Sequence, residues 1–263
     1  KFIYAQAAKE GLTSVYPVGA ITKGLKGEEL AEIGELKAAG VVALSDDGHS
    51  VADSELMRRG LEYSKMFALP VIVHCEDKKI SAGGMMHEGY YSTLLGLPGI
   101  PGASEEVCLG RDLRLGELSG GCLHIAHVST ARSVALIREA KARGVKVTAE
   151  TAPHYFSLTD AAVKSFDSKV KMNPPLRTEA DVEAIKEGLK DGTLDVIATD
   201  HAPHTVVEKE VEFSLAPFGI IGLETALSLV LNKLVRGKVL SLPQALAKLT
   251  SNPARILGLK KGT

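Results

Sequence analysis

The sequence is short of net charge, of cysteine and of long apolar runs, and each shortage removes a class of protein. Thirty-one Lys and Arg stand against 32 Asp and Glu, a formal net charge of −1. That leaves none of the basic excess that nucleic acid or an anionic membrane selects as a partner. The three cysteines, Cys75, Cys108 and Cys122, are an odd number in 263 residues, which argues against a disulfide framework and for a reducing, cytoplasmic setting. No apolar run reaches the roughly 18 residues that a bilayer span needs. The first twenty residues also lack a charged segment followed by an apolar one, so neither insertion nor export is expected.

What is present is 45% hydrophobic content in 263 residues, enough for a substantial core and compatible with one barrel domain of about 250 residues. Short β-branched runs alternate with turns and with helical segments whose apolar residues recur at three- and four-residue spacing. Candidate strands are 13–20, 40–46, 70–76, 122–128, 145–151 and 194–200. VVAL at 41–44 and VIV at 71–73 are apolar at every position, as suits parallel strands covered on both faces. Asp53 is placed to cap a helix over 54–68, and Ser129 or Thr130 to cap one that Gly144 ends. Thr178 with Asp181 forms a capping pair before 182–190. KFIYAQAAKEG reads as a helix already under way and Asn252–Gly258 as a last short helix, so the expectation is one catalytic barrel domain over 1–263, cropped at both ends.

Six strand-helix units leave an open doubly wound sheet or most of a (β/α)8 barrel. The first would carry G-x-G-x-x-G after its first strand, and Gly19, Gly24 and Gly27 do not make one. The second gathers reactive side chains at the carboxyl ends of several strands. That pattern is present: Ser45-Asp46-Asp47-Gly48, His74-Cys75-Glu76-Asp77, His124-Ile125-Ala126-His127 and Thr199-Asp200-His201 each end a strand with carboxylate or imidazole. Such groups hold divalent ions, which lower the pKa of bound water to about 7. The expected fold is therefore an incomplete (β/α)8 TIM-type barrel with strands three to eight represented.

Seven motifs carry a family resemblance: SDDG at 45–48, HCED at 74–77, HIAHVST at 124–130, ETAPH at 150–154, KMNPPLRT at 171–178, ATDHAPH at 198–204 and APFGIIGLETA at 216–226. As an ordered set they resemble the dihydroorotases of the amidohydrolase superfamily, of the bacterial type with an aspartate where relatives have a carboxylated lysine. The resemblance implies a metal-dependent cyclic amidase that interconverts N-carbamoyl-L-aspartate and L-dihydroorotate in pyrimidine synthesis, and mixed imidazole and carboxylate donors favour zinc as the metal. It implies Asp47 as the carboxylate between metals, His74 and His127 as imidazole ligands, and Asp200 as both ligand and general acid/base. Asn173 and His204 would hold the substrate, with Pro217, Phe218 and Gly219 lining its pocket. It further implies a small-molecule substrate, a homo-oligomer, and either of two rivals: a hydantoinase- or allantoinase-like amidase, or a silent scaffold that binds aspartate transcarbamoylase. Asp47 in the place of a lysine argues against the first rival.

The family's His-x-His-x-Arg segment, with two ligands for a first metal, is not among these residues, where the His pairs are His124/His127 and His201/His204. Three alternatives stay open: those ligands lie outside this stretch, one metal is held weakly, or none is held. Alternation along a strand sets His124 and His127 on opposite faces and favours His127, nearer the carboxyl end. Asp46 reads as a turn or capping residue. Cys75 reads as a small buried group facing the helices, His49 and His87 as surface residues, and Met85-Met86 as gap-filling. His154 is either near the pocket or a buried hydrogen-bonded imidazole, and His201 either supports a ligand or is structural.

Overall fold

The computed structural model describes residues 1–262. Its centre is a six-stranded parallel sheet of β1 (Val18–Gly19), β2 (Ala43–Ser45), β3 (Val71–Val73), β6 (Leu123–Ile125), β7 (Val147–Thr151) and β8 (Val196–Ile197). Between β3 and β6, β4 (Met86–His87) and β5 (Gly99–Ile100) pair separately. In the main sheet each strand lies beside the next in chain order. An open doubly wound sheet reverses direction at a switch point; this one never does, which is the winding of a partial barrel. Beyond β8, His201 pairs in parallel with Ile220.

Helices cover one face. After α1 (Phe2–Glu10) and α2 (Ile33–Ala38) come α3 (Ser54–Met66), α4 (Tyr90–Leu95), α5 (Ala103–Ser119), α6 (Ala131–Ala142) and α7 (Glu179–Asp191). The chain ends with α8 (Val206–Lys209), α9 (Ala226–Leu229), α10 (Leu242–Leu249) and α11 (Ser251–Ile256). The local chemistry explains the starts: Asp53 accepts from Leu56 N, Thr130 from Ser133 N and Thr178 from Asp181 N, each satisfying an amide that the first turn leaves unpaired. Leu44, Val71, Leu123, Ile125 and Val147 of the sheet pack with Met57, Leu61, Leu109, Val134, Ile137, Ile185 and Leu189 in one core. Among the described residues no helix is long and apolar enough to cross a membrane.

The strands are shorter than the sequence suggests, two to five residues each. Their ends turn out of extended geometry where the polar motifs begin: His127 has φ 35° and Asp200 φ 47°, a left-handed conformation uncommon outside glycine and found preferentially at functional sites. The glycine-rich connection after β3 also holds more structure than its composition implies. It forms β4, α4 and β5, with Met86 in a satellite core beside Val163 and Phe213.

Asp46 is a structural residue. It is buried, and its carboxylate accepts from Ile21 N at 2.7 Å and from Thr22 N and Oγ1, fastening the segment after β1 to the end of β2. Cys75 faces outward to α5, where its thiol lies within 4.8 Å of Cys108 Sγ and an Asp112 carboxylate oxygen. Arg111 occupies that carboxylate at 2.7 and 2.9 Å. Burial drives the Asp112 pKa up to about 6 against the opposing guanidinium. The Cys75 thiol is raised by its contact with Cys108 and then by burial. The wall group is thus a closed ion pair beside a Cys75 thiol held in its protonated form.

Candidate metal centre

The ends of β2, β3 and β6 bring Asp47, His74 and His127 together. Asp47 Oδ1 lies 3.5 Å from His74 Nδ1 and 3.5 Å from His127 Nε2, and the two ring nitrogens are 2.9 Å apart. Both imidazoles are buried, whereas the Asp47 side chain is 62% exposed at the rim. A tetrahedral ion with bonds of about 2.0–2.1 Å requires ligand-to-ligand edges of this size.

The donors also suit a cation chemically. His74 Nε2 donates to Glu76 Oε2 at 3.1 Å. A carboxylate only accepts, so the neutral ring carries its hydrogen on Nε2 and turns the Nδ1 lone pair toward His127. Two imidazole nitrogens facing each other repel unless a proton or a cation lies between them. The electrostatics have the same bias. Burial works against a charged His127, but the hydrogen bond it donates to Asp47 and then the charges of Asp200, Asp47 and Glu150 carry its pKa up to about 9. The hydrogen bond from His127 first, and then the contact with His74, hold Asp47 well below the ordinary carboxylate range. The position draws positive charge. His127 Nδ1 is buried without a hydrogen-bond partner.

Asp200 stands outside the tight trio. It is half-buried, and its pKa is raised by burial first, against His127 and with the like charge of Asp47. Asn173 reaches the centre through one bond, Nδ2 donating to Glu76 Oε2 at 3.0 Å. His204 is fastened elsewhere, its Nε2 donating to Phe218 O at 2.9 Å. Pro217 O accepts from the buried Lys209 Nζ at 2.8 Å. Gly219 has φ 144°, and a Cβ there would lie 2.4 Å from Ala202 O, so only glycine permits this approach. His204 and Gly219 line a cavity of about 560 Å³ with Val206, Ile221 and Leu229; Asp47, His74, His127 and Asp200 are not in its lining. The structure thus joins Asp47, His74, His127 and, through Glu76, Asn173, whereas His204 and Gly219 line a separate cavity whose lining includes neither Pro217 nor Phe218.

The other histidines are resolved in turn. His124 donates to Glu150 Oε2 at 3.0 Å, and the Glu150 charge also reaches His127. Strand alternation ends at Ile125, so it does not decide the direction of His127, a left-handed residue two positions on that meets Asp47 and His74. His49 is exposed. His87 is not a surface residue: it accepts from Arg177 Nη1 at 3.2 Å, and burial followed by the Arg177 charge lowers its pKa to about 4. His154 is buried with Nε2 unpartnered, its pKa brought down to about 3 by burial and then by His127. His201 Nδ1 accepts from Gly222 N at 3.0 Å, a structural bond.

Two supporting groups escape the sequence reading. Glu76 sits two residues after His74, and period-two spacing on a strand is the signal that sets both on one face. Buried Glu105 accepts from Ser129 N at 3.1 Å and Thr130 N at 3.3 Å, while Arg177 Nε donates to Ser129 Oγ at 3.1 Å. This braces the loop after His127, and no local pattern announces a contact spanning 24–48 positions.

Residues 1–133 match the model of a family described as dihydro-orotase-like, a span that includes Asp47, His74 and His127. The chain is 62% identical over 262 residues to a dihydroorotase of Pelotomaculum thermopropionicum, covering 100% of this chain and 61% of that protein. It is 61% identical over 264 residues to a dihydroorotase of Endomicrobium trichonymphae, covering 100% and 63%. The chain therefore spans about three-fifths of the length of these curated relatives. Among solved structures, the L-hydantoinase (dihydropyrimidinase) of Arthrobacter aurescens aligns with a TM-score of 0.80 at 25% identity, over 94% of this chain and 57% of that one. The dihydropyrimidinase of Brevibacillus agri gives 0.75 at 26%, over 88% and 54%.

Proposed function

Because the chain belongs to the dihydro-orotase-like family, we propose that it is the barrel domain of a metal-dependent dihydroorotase, interconverting N-carbamoyl-L-aspartate and L-dihydroorotate in pyrimidine synthesis. The observation that carries this reading is the meeting of Asp47, His74 and His127 within 3.5 Å of one another at the rim. Asp47 Oδ1, His74 Nδ1 and His127 Nε2 would hold one divalent ion, and mixed imidazole and carboxylate donors favour zinc. Such an ion, when bound, polarises a carbonyl and makes water acidic enough to attack it near neutral pH. A second ion would need ligands besides these.

The chain's own residues supply the proton chemistry. Asp200, with its pKa raised by burial, binds a proton more readily than an ordinary carboxylate. It would take one from the attacking water and deliver it to the departing amide nitrogen. Asn173 would grip the substrate's carboxylate from the Glu76 side.

A hydantoinase-like activity is supported only by fold-level neighbours at 25–26% identity, against 61–62% for the dihydroorotases. A silent scaffold docked on aspartate transcarbamoylase has no need of converging ligands. A reducing cytoplasm accords with the three free cysteines, and a homo-oligomer is proposed from the family resemblance alone. The test is turnover of dihydroorotate, hydantoin and allantoin by the full-length protein, with and without zinc. Zinc-dependent hydrolysis of dihydroorotate above the other two is expected; preference for hydantoin or allantoin, or inertness with no bound metal, would overturn the proposal.

A further inference from the structure

We infer that Glu76 is a positioning residue that couples the metal centre to substrate binding, an inference that rests on the reading just given. Glu76 Oε2 receives three donors: His74 Nε2 at 3.1 Å, Asn173 Nδ2 at 3.0 Å and the Lys78 ammonium. The first belongs to a residue facing the ion position and the second to a residue proposed to hold substrate, 97 positions away in sequence from Glu76. One oxygen atom thus orients both.

Three features make this more than a surface contact. Glu76 is 7% exposed, so water does not compete for its oxygens. Lys78 supplies the compensating charge that a buried carboxylate needs, and it does so from the rim, with its side chain 51% exposed. The backbone is pinned as well: Ser50 Oγ donates to His74 O and accepts from Glu76 N at 3.1 Å, fixing the two residues relative to each other.

Each bond has a distinct consequence. As an acceptor, the carboxylate keeps the His74 hydrogen on Nε2 and leaves Nδ1 free for a cation, and its charge strengthens that ligand. An amide nitrogen carries two N–H donors. The one directed at Glu76 fixes the plane of the amide and leaves the other N–H for substrate. Loss of the carboxylate therefore loosens metal and substrate together, whereas loss of Asn173 affects substrate alone.

The experiment measures zinc affinity of metal-free full-length protein by competition with a chromophoric chelator, beside KM and kcat for dihydroorotate. Glu76→Gln is expected to lower zinc affinity by about 10–100-fold and to raise KM. Asn173→Ala should raise KM and leave zinc affinity at the wild-type value, and the double variant's KM should fall short of the product of the two single effects. Wild-type zinc affinity in Glu76→Gln, or fully multiplicative KM effects, would overturn the inference. Should Glu76→Gln fail to fold, Glu76→Asp replaces it: the shorter carboxylate cannot span both partners, so both quantities shift, and a wild-type value for either sinks the idea. Failure of the functional reading looks different, since the unsubstituted protein would then bind no zinc or turn over no dihydroorotate.

Discussion

His74 and Cys75 are consecutive residues that follow directly on β3, yet the first meets Asp47 and His127 at the barrel mouth and the second meets Cys108 and Asp112 in the wall. Both groups gather three donors of the kind that bind metals. In the wall, Arg111 holds the carboxylate and the Cys75 thiol is pushed toward its protonated form, so every charge is already answered. At the mouth, two ring nitrogens face each other, a ring nitrogen of His127 has no partner, and the carboxylate reaches solvent. Proximity of donors does not make a site; what distinguishes one is a charge left unanswered at a place an ion can enter.

The contrast can be broken at several strengths. The largest effect is expected from Asp200→Asn in the full-length protein: turnover should fall by about 10²–10⁴-fold, the range for loss of a general base. Near-normal kcat would remove Asp200 from the proton path. Next is the wall, where Arg111→Ala leaves Asp112 uncompensated. A loss of roughly 3 kcal/mol is expected, the low end for breaking a buried pair, read by chemical denaturation, with zinc content unchanged; a loss of zinc would mean that the wall holds the ion. Asn173→Ala should then weaken substrate binding by about 1–3 kcal/mol, and an unaltered KM would separate Asn173 from the site.

The smallest effect is a tilt with pH. Asp112 has a folded pKa of about 6, above its unfolded value near 3.9. Its stabilising, protonated form is fully present below pH 4 and is lost as pH rises through 6. His154, lowered to about 3 from an unfolded value of about 6.5, tilts stability the other way. Its contribution is present above pH 6.5 and lost as pH falls toward 3. Each group can contribute at most about 1.4 kcal/mol per pH unit. Denaturation from pH 4 to 6 should show His154→Phe more stable relative to wild type at pH 4 than at pH 6; an equal difference at both would deny the burial of a neutral imidazole.

Much of this was legible in the sequence because it is local. Capping residues Asp53, Thr130 and Thr178 announce their helices, and the polar strand ends announce the mouth, since a parallel barrel sends carboxyl ends to one rim. The six strands wind in chain order, as the repeated units imply. What was illegible depends on contacts far apart in the chain. His87 looked like a surface residue because Arg177, which buries it, lies 90 positions on. His127 lies beyond the strand's end at Ile125 in a left-handed conformation that side-chain type does not encode, so period-two spacing from His124 does not reach it. Glu76 passed as part of the HCED motif because its partner Asn173 comes from another loop.

Crystals of the zinc-loaded full-length protein, measured on both sides of the zinc absorption edge, test the central claim most directly. An anomalous peak is expected among Asp47 Oδ1, His74 Nδ1 and His127 Nε2. A peak among Cys75, Cys108 and Asp112 instead, or no peak between those three mouth ligands, would contradict the account.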